Sequence, residues 1–190
     1  VARLAVLASG NGSNFEALTL AARGAGHETA LLVCDTPGAP VLERAARLGV
    51  PSLLAPYAGR RRAEAEEEIR AALDGCGADI VALAGYLRLL GPAFVRHYAG
   101  RLVNIHPSLL PAWPGLDAIR RAYEAGEAEL GVSVHFVDEG MDTGQLIAQC
   151  RVPRLESLAA TEEAIHRAEH ELYARALLGL LGGAQGSADA

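Results

Sequence analysis

An open, mainly parallel α/β sheet with helices on both faces, built as a single domain, is the fold class that this chain predicts. Three observations lead there. Apolar runs alternate with amphipathic stretches from the first residues onward. The breaks between them are glycine, proline and small polar residues, as βα units require. And 190 residues at 51% hydrophobic are enough for one core but few for two.

Each element follows from its own pattern. Residues 4–8 (LAVLA) read as a strand and 15–23 as a helix, with 29–34 as a second strand and 41–48 as the next helix. Residues 52–55 form a short strand and 63–73 a helix rich in Ala and Glu. Residues 80–84 (IVALA) are continuously apolar, as expected of a strand buried on both faces. A short helix near 93–97 leads to a strand at 102–105. A proline-rich loop comes next, then a helix over 118–125 and two strands, 131–137 and 145–150, joined by DEGMDTG. A long helix from about 158 to 181 closes the domain, which covers 1–182, and 183–190 are expected to be a disordered tail. Ligands of such sheets sit beyond the carboxyl ends of the strands. Residues 10–14, 84–90 and 104–115 all fall at such ends.

Composition narrows the chemistry. A net charge of −6 argues against nucleic acid as a partner, because neutralising phosphates needs a basic face. The one tight basic run, Arg60-Arg61-Arg62, is followed by Glu64, Glu66, Glu67 and Glu68, the pattern of a charged helix face. The chain has no lysine, so Schiff-base catalysis and a Walker A phosphate lysine are excluded. Arginine is a poor proton shuttle. Proton transfer therefore falls to His, Asp, Glu, Tyr, Cys or water. Cys34, Cys76 and Cys150 are widely spaced, which indicates neither a disulfide framework nor a cysteine zinc site. No apolar stretch approaches the roughly 20 residues needed to span a bilayer, and the first residues lack signal-peptide architecture. A soluble, cytoplasmic protein without a membrane partner is expected.

Four stretches carry candidate chemistry. SGNGSNFEAL places glycines before a helix start, where unpaired N–H groups and the positive dipole end favour an anion. Ser13 and Glu16 also fit a capping box, which explains Ser13 without a ligand; the two readings are compatible. In HRAEH, His166, Glu169 and His170 match the inverted zinc-peptidase spacing. A hydrolytic zinc site normally needs a third protein ligand, and the residues beyond are nearly free of donors, so a solvated or substrate-facing helix is preferred. In NIHPSLLPAWPG, Asn104 and His106 alternate with Ile105 and so project to the same side of an extended chain. A carboxamide beside an imidazolium suits an oxyanion forming at a carbonyl carbon; a strand-end Asn serving local backbone is the plainer alternative. Three prolines stiffen the loop beyond His106, and Leu110-Pro111 is the candidate for a cis bond. In DEGMDTGQ, any of Asp138, Glu139 and Asp142 could supply a carboxylate that favours the charged form of His106. Periodicity does not choose among them.

Taken in order, LASGNGSNFEAL, DIVALAGYLRLL, AGRLVNIHPSLLPAWPGLDAIRRA, GVSVHFVDEGMDTGQLIAQ and AEHELYA resemble glycinamide ribonucleotide formyltransferase of purine synthesis over nearly the whole chain. The resemblance implies a Rossmann-like formyltransferase fold and transfer of a formyl group from 10-formyltetrahydrofolate, a co-substrate, to the amine of glycinamide ribonucleotide, with no metal required. It implies Asn104, His106 and Asp142 as the catalytic set, supported by His135. Gly12, Ser13 and Asn14 would hold the substrate phosphate and Glu169 its ribose. Arg62, Leu87, Arg88, Leu89 and Leu90, together with Asn104 and the loop Asp138, Glu139, Gly140, Met141 and Asp142, would line the folate site. A monomer or weak homodimer is expected. Two positions depart from the pattern: Ala112 stands where a lysine is common, and CDTPGAP replaces a more usual Ser-Asn-rich loop. Methionyl-tRNA formyltransferase resembles a longer protein with an RNA-binding domain. Formyltetrahydrofolate deformylase normally carries an extra N-terminal domain, whereas this chain begins at its first strand. Deformylation, with water replacing the amine, and a non-catalytic phosphoribosyl-binding module are the alternatives.

Overall fold

The computed structural model describes residues 1–186, with side chains described through residue 184. The elements run β1 (Arg3–Ala8), α1 (Ser13–Gly24), β2 (Glu28–Cys34), α2 (Pro40–Leu48), β3 (Ser52–Leu54), α3 (Arg62–Gly75) and β4 (Ile80–Leu83). They continue with α4 (Pro92–His97), β5 (Leu102–His106), α5 (Ala118–Glu124), β6 (Glu129–Phe136), β7 (Leu146–Pro153) and α6 (Leu158–Gly186). The seven strands form one sheet in the order β3-β2-β1-β4-β5-β6-β7. Strands β1 to β5 are parallel, whereas β6 pairs antiparallel with β5, and β7 antiparallel with β6. The segment between β6 and β7 is too short for a crossover, so those two strands must run in opposite directions. The fold is thus the single-domain, mostly parallel α/β sheet expected.

Alternation along each strand distributes side chains between two cores. Leu4, Val6 and Ala8 of β1 face the layer made by α1, α2, α5 and α6, while Ala5 and Leu7 face α3 and α4. Helix α1 buries Phe15, Leu18 and Ala22 at helical spacing. Tyr173 of α6 is fully buried, and its hydroxyl hydrogen is shared between the carbonyls of Leu83 in β4 (2.8 Å) and Val103 in β5 (3.1 Å). The long helix is thereby fastened across the two strands whose carboxyl ends form the site.

Three details differ from the sequence expectation. The residue capping α1 is Gly12, in a left-handed conformation (φ 80°), and Ser13 is the first helical residue with no capping hydrogen bond. The capping box is therefore absent: Glu16 pairs instead with Arg44 and Arg47 of α2, cations that the local motif does not contain. Strand β7 continues to Pro153, because β6 pairs with it over its whole length. Helix α6 runs to Gly186, into the segment expected to be a tail, since buried Leu177 and Leu181 hold its last turns and extension of a formed helix costs little. Residues 187–190 of that expected tail lie outside the described residues.

Candidate active site

The connections reverse direction between β1 and β4, which leaves a crevice at their carboxyl ends, the usual ligand position in such sheets. Strand β5 ends beside it on Asn104 and His106. Leu102, Asn104 and His106 share one face, and Val103 and Ile105 the other. The antiparallel pairing of β5 with β6 sets His135 directly opposite Asn104, and Ser133 opposite His106. Accordingly, Asn104 Nδ2 lies 3.3 Å from His135 Nε2. His106 Nε2 is 2.8 Å from the Trp113 carbonyl oxygen, and His106 Nδ1 is 3.4 Å from Asp142 Oδ2. Ser133 secures the adjoining loop: its hydroxyl donates to the Ser108 carbonyl (2.7 Å) and accepts from Leu110 N–H (3.1 Å) and Gln149 Nε2 (2.8 Å). The Leu110–Pro111 bond is cis, and Trp113 has φ 57°.

The structure separates the three acids of the second loop. Asp138 accepts from Gly140 N–H (3.0 Å) and the Thr143 hydroxyl (2.7 Å), a turn role. Glu139 pairs with Arg96 at 2.7 Å on the surface. Asp142 alone turns inward: its side chain is 12% exposed, and its backbone takes φ 55° to bring it there. Asp142 Oδ2 accepts from Gly115 N–H (2.9 Å), and Oδ1 lies 3.6 Å from His135 Nε2 and 3.5 Å from Asn104 Nδ2. The close contact with His135 outweighs desolvation and, with Gly115 N–H and the charge of His106, lowers its pKa to about 2. Gly144 is required here, since a Cβ at that position would run into the Phe136 carbonyl.

Asn104, His106, His135 and Asp142 open into a cavity of about 620 Å³. Leu87, Arg88, Leu89 and Leu90 line one side of it and Asp138, Glu139, Gly140 and Met141 another. Leu87, Leu89 and Met141 are exposed at its mouth, an apolar rim suited to a ring system. Arg62 does not line the cavity; its guanidinium lies 3.8 Å from Glu66, which accepts from Gly91 N–H at the end of the Leu87–Leu90 loop. Gly12, Ser13 and Asn14 lie past the carboxyl end of β1, outside the lining of this cavity. Gly12 has Val41 against it so closely that a side chain would not fit, and the Asn14 side-chain oxygen is buried without a hydrogen-bond partner. Helix α6 packs beside α1. On α6, Glu169 is buried and lies 2.9 Å from His166 Nδ1. That contact raises the His166 pKa. Among the described residues, no group of three or more His, Cys, Asp or Glu is placed to hold a metal ion, and no helix is long and apolar enough to cross a membrane.

Sequence reasoning missed three contributors. The Trp113 carbonyl and Gly115 N–H orient His106 and Asp142, and backbone groups leave no trace in residue type; the prolines and glycine around them were the available signal. Glu162 and His166 of α6 line the cavity beside the Asn/His pair. His166 belongs to the HRAEH motif, for which a solvated or substrate-facing helix is the preferred reading, and it lines the cavity.

The fold and the site define a class: an α/β enzyme in which N–H donors at a strand end sit against a buried carboxylate at the wall of a cavity that fits a small molecule. The formyl transferase family model matches residues 2–177, and the chain belongs to that family. It is 44% identical over 185 residues to phosphoribosylglycinamide formyltransferase of Bacillus subtilis (strain 168), covering 95% of each chain. Glycinamide ribonucleotide transformylase 1 from Geobacillus kaustophilus superposes with a TM-score of 0.90 at 53% identity, over 95% of this chain and 98% of that one. The trifunctional purine biosynthetic protein adenosine-3 of Drosophila melanogaster is 44% identical over 188 residues, and the match spans 14% of its length.

Proposed function

We propose that the protein transfers the formyl group of 10-formyltetrahydrofolate to the amine of glycinamide ribonucleotide, giving formylglycinamide ribonucleotide and tetrahydrofolate for purine synthesis in the cytoplasm. The observation that carries this reading is the meeting of Asn104 and His106 with Asp142, distant from them in sequence, around one cavity. The amine attacks the formyl carbon, and the carbonyl oxygen becomes an oxyanion. Asn104 Nδ2 donates to it, and so does His106 through Nδ1, whose 3.4 Å contact with Asp142 is long enough to be shared with the oxyanion while Nε2 stays on the Trp113 carbonyl. The contacts of Asn104 with His135 and Asp142, at 3.3 and 3.5 Å, are long enough to be exchanged for a reacting oxygen. Asp142, with its pKa lowered to about 2, is too weak a base to keep the amine proton. It serves instead to hold His106 and to order a water that relays the proton towards N10, after which the C–N10 bond breaks. No Ser or Cys nucleophile, formyl-enzyme or metal is needed, because N–H donors meet the developing charge.

Gly12, Ser13 and Asn14 receive the substrate phosphate at the start of α1, and Glu169 the ribose. The cavity between the Leu87–Leu90 and Asp138–Asp142 loops receives the folate. The protein acts as a monomer or weak homodimer. Incubation with both substrates should release tetrahydrofolate only when both are present. Formate released without glycinamide ribonucleotide would make the protein a deformylase, and ligand binding without turnover a binding module.

A further inference from the structure

The segment from Gly85 to Gly91 has no regular secondary structure, so its shape must be imposed by neighbours. Ser9 N–H donates to the Gly85 carbonyl (3.1 Å), Leu87 N–H donates to Ser9 Oγ (3.0 Å), and Gly91 N–H donates to Glu66 Oε1 (2.8 Å). A further fastening is a charged one: Arg88 Nε donates to Asp35 Oδ2 at 2.6 Å. Asp35 lies just past the last residue of β2 and its side chain is 2% exposed, whereas that of Arg88 is 47% exposed, so a buried carboxylate holds a half-exposed arginine of the loop. The Thr36 hydroxyl also donates to the Asp35 carboxylate (3.2 Å). Burial works to raise the Asp35 pKa, but hydrogen bonds from Ser9, Arg88 and Thr36 outweigh it and hold it below the usual value. Asp35 thus holds the loop at Arg88, next to Leu87, whose N–H is held separately by Ser9 Oγ. The Arg88 guanidinium also lies over the Tyr57 ring, 5.0 Å from its centre, and Tyr57 in turn meets the Tyr86 hydroxyl at 3.2 Å.

We propose that Asp35 is a positioning residue for the folate co-substrate: through Arg88 it fixes the Leu87–Leu90 backbone in the shape that the folate ring meets. The inference rests on the proposed assignment of the cavity to the folate. It also commits the Arg88 cation to Asp35, so that this arginine does not serve as a free partner for the carboxylates of the folate tail. Removing a buried carboxylate's charge while keeping its shape should loosen the loop without touching the reacting atoms.

The test is Asp35→Asn in steady-state kinetics, with Arg88→Gln and the double variant beside it. The KM for 10-formyltetrahydrofolate should rise about tenfold, while kcat at saturation and the KM for glycinamide ribonucleotide stay within twofold. The double variant should be no worse than either single one, because both act on one path. Near-ultraviolet circular dichroism establishes that each variant is folded; should Asp35→Asn not fold, Arg88→Gln breaks the same pair from its other end and should raise the same KM. An unchanged folate KM in a folded variant overturns the inference. So does a lowered one, as a freed Arg88 pairing with the folate tail would give, or an equal rise in the KM for glycinamide ribonucleotide. A wild-type protein that turns over neither substrate overturns the parent reading and this inference with it; an active wild type with an unaffected Asp35→Asn overturns this inference alone.

Discussion

Asp142 was one of three carboxylates that the sequence offered to His106, and its selection is a matter of backbone conformation. Asp138 is consumed by its own turn and Glu139 by Arg96, while a left-handed backbone at Asp142 aims its carboxylate inward. None of this is written in spacing, whereas the shared side of Asn104 and His106 follows from simple alternation and was legible. The pKa of Asp142, lowered from 3.8 to about 2, has a signed consequence. A carboxyl held below its unfolded value contributes stability above that value, and the contribution disappears as pH falls from about 4 towards 2, amounting to about 2 kcal/mol at neutrality. Asp142→Asn should therefore lower the unfolding free energy by that amount at pH 7 and by clearly less at pH 3. Urea unfolding at the two pH values checks this, and an equal gap at both would show that ionisation of Asp142 is not what stabilises the site.

At the scale of elements, the start of α1 shows how a local motif can mislead. S-x-x-E satisfies the capping-box pattern at Ser13 and Glu16, yet α2 brings Arg44 and Arg47 against Glu16 and the cap falls on Gly12. Long-range ion pairs of this sort cannot be read from four residues. Ser13 is then free of structural duty, and Ser13→Ala should change stability by less than about 0.5 kcal/mol, where loss of a true N-cap costs about 1 kcal/mol. The same substitution should raise the KM for glycinamide ribonucleotide several-fold. Loss of stability with an unchanged KM would restore the capping reading and remove the phosphate from this helix. Gly12→Ala, by contrast, meets both the positive φ and Val41, and should cost about 1–3 kcal/mol in thermal or urea unfolding. A neutral result there would mean that the turn can relax.

For the whole molecule, the alternation of apolar and amphipathic segments was sufficient to specify a mainly parallel sheet, because each strand and helix announces its own period. What it did not contain is the register between β5 and β6, which sets His135 opposite Asn104; pairing of strands 31 residues apart depends on the turns and cores between them. His135 entered the expected site through family resemblance alone. Tyr173 likewise has no local signature, although it joins α6 to β4 and β5 under the site. Tyr173→Phe removes that shared hydrogen bond and leaves the ring, and should lower stability by about 1–2 kcal/mol in urea unfolding while the protein stays folded; an unchanged midpoint would mean that packing alone docks the helix.

The mechanism depends on Asn104 meeting charge that exists only while the carbon is tetrahedral. The most direct measurement is the single-turnover rate of formyl transfer by Asn104→Ala, with both substrates saturating and the wild-type rate beside it. A fall of about a hundred- to a thousandfold is predicted, as for loss of one oxyanion donor. A rate within threefold of wild type would contradict that mechanism.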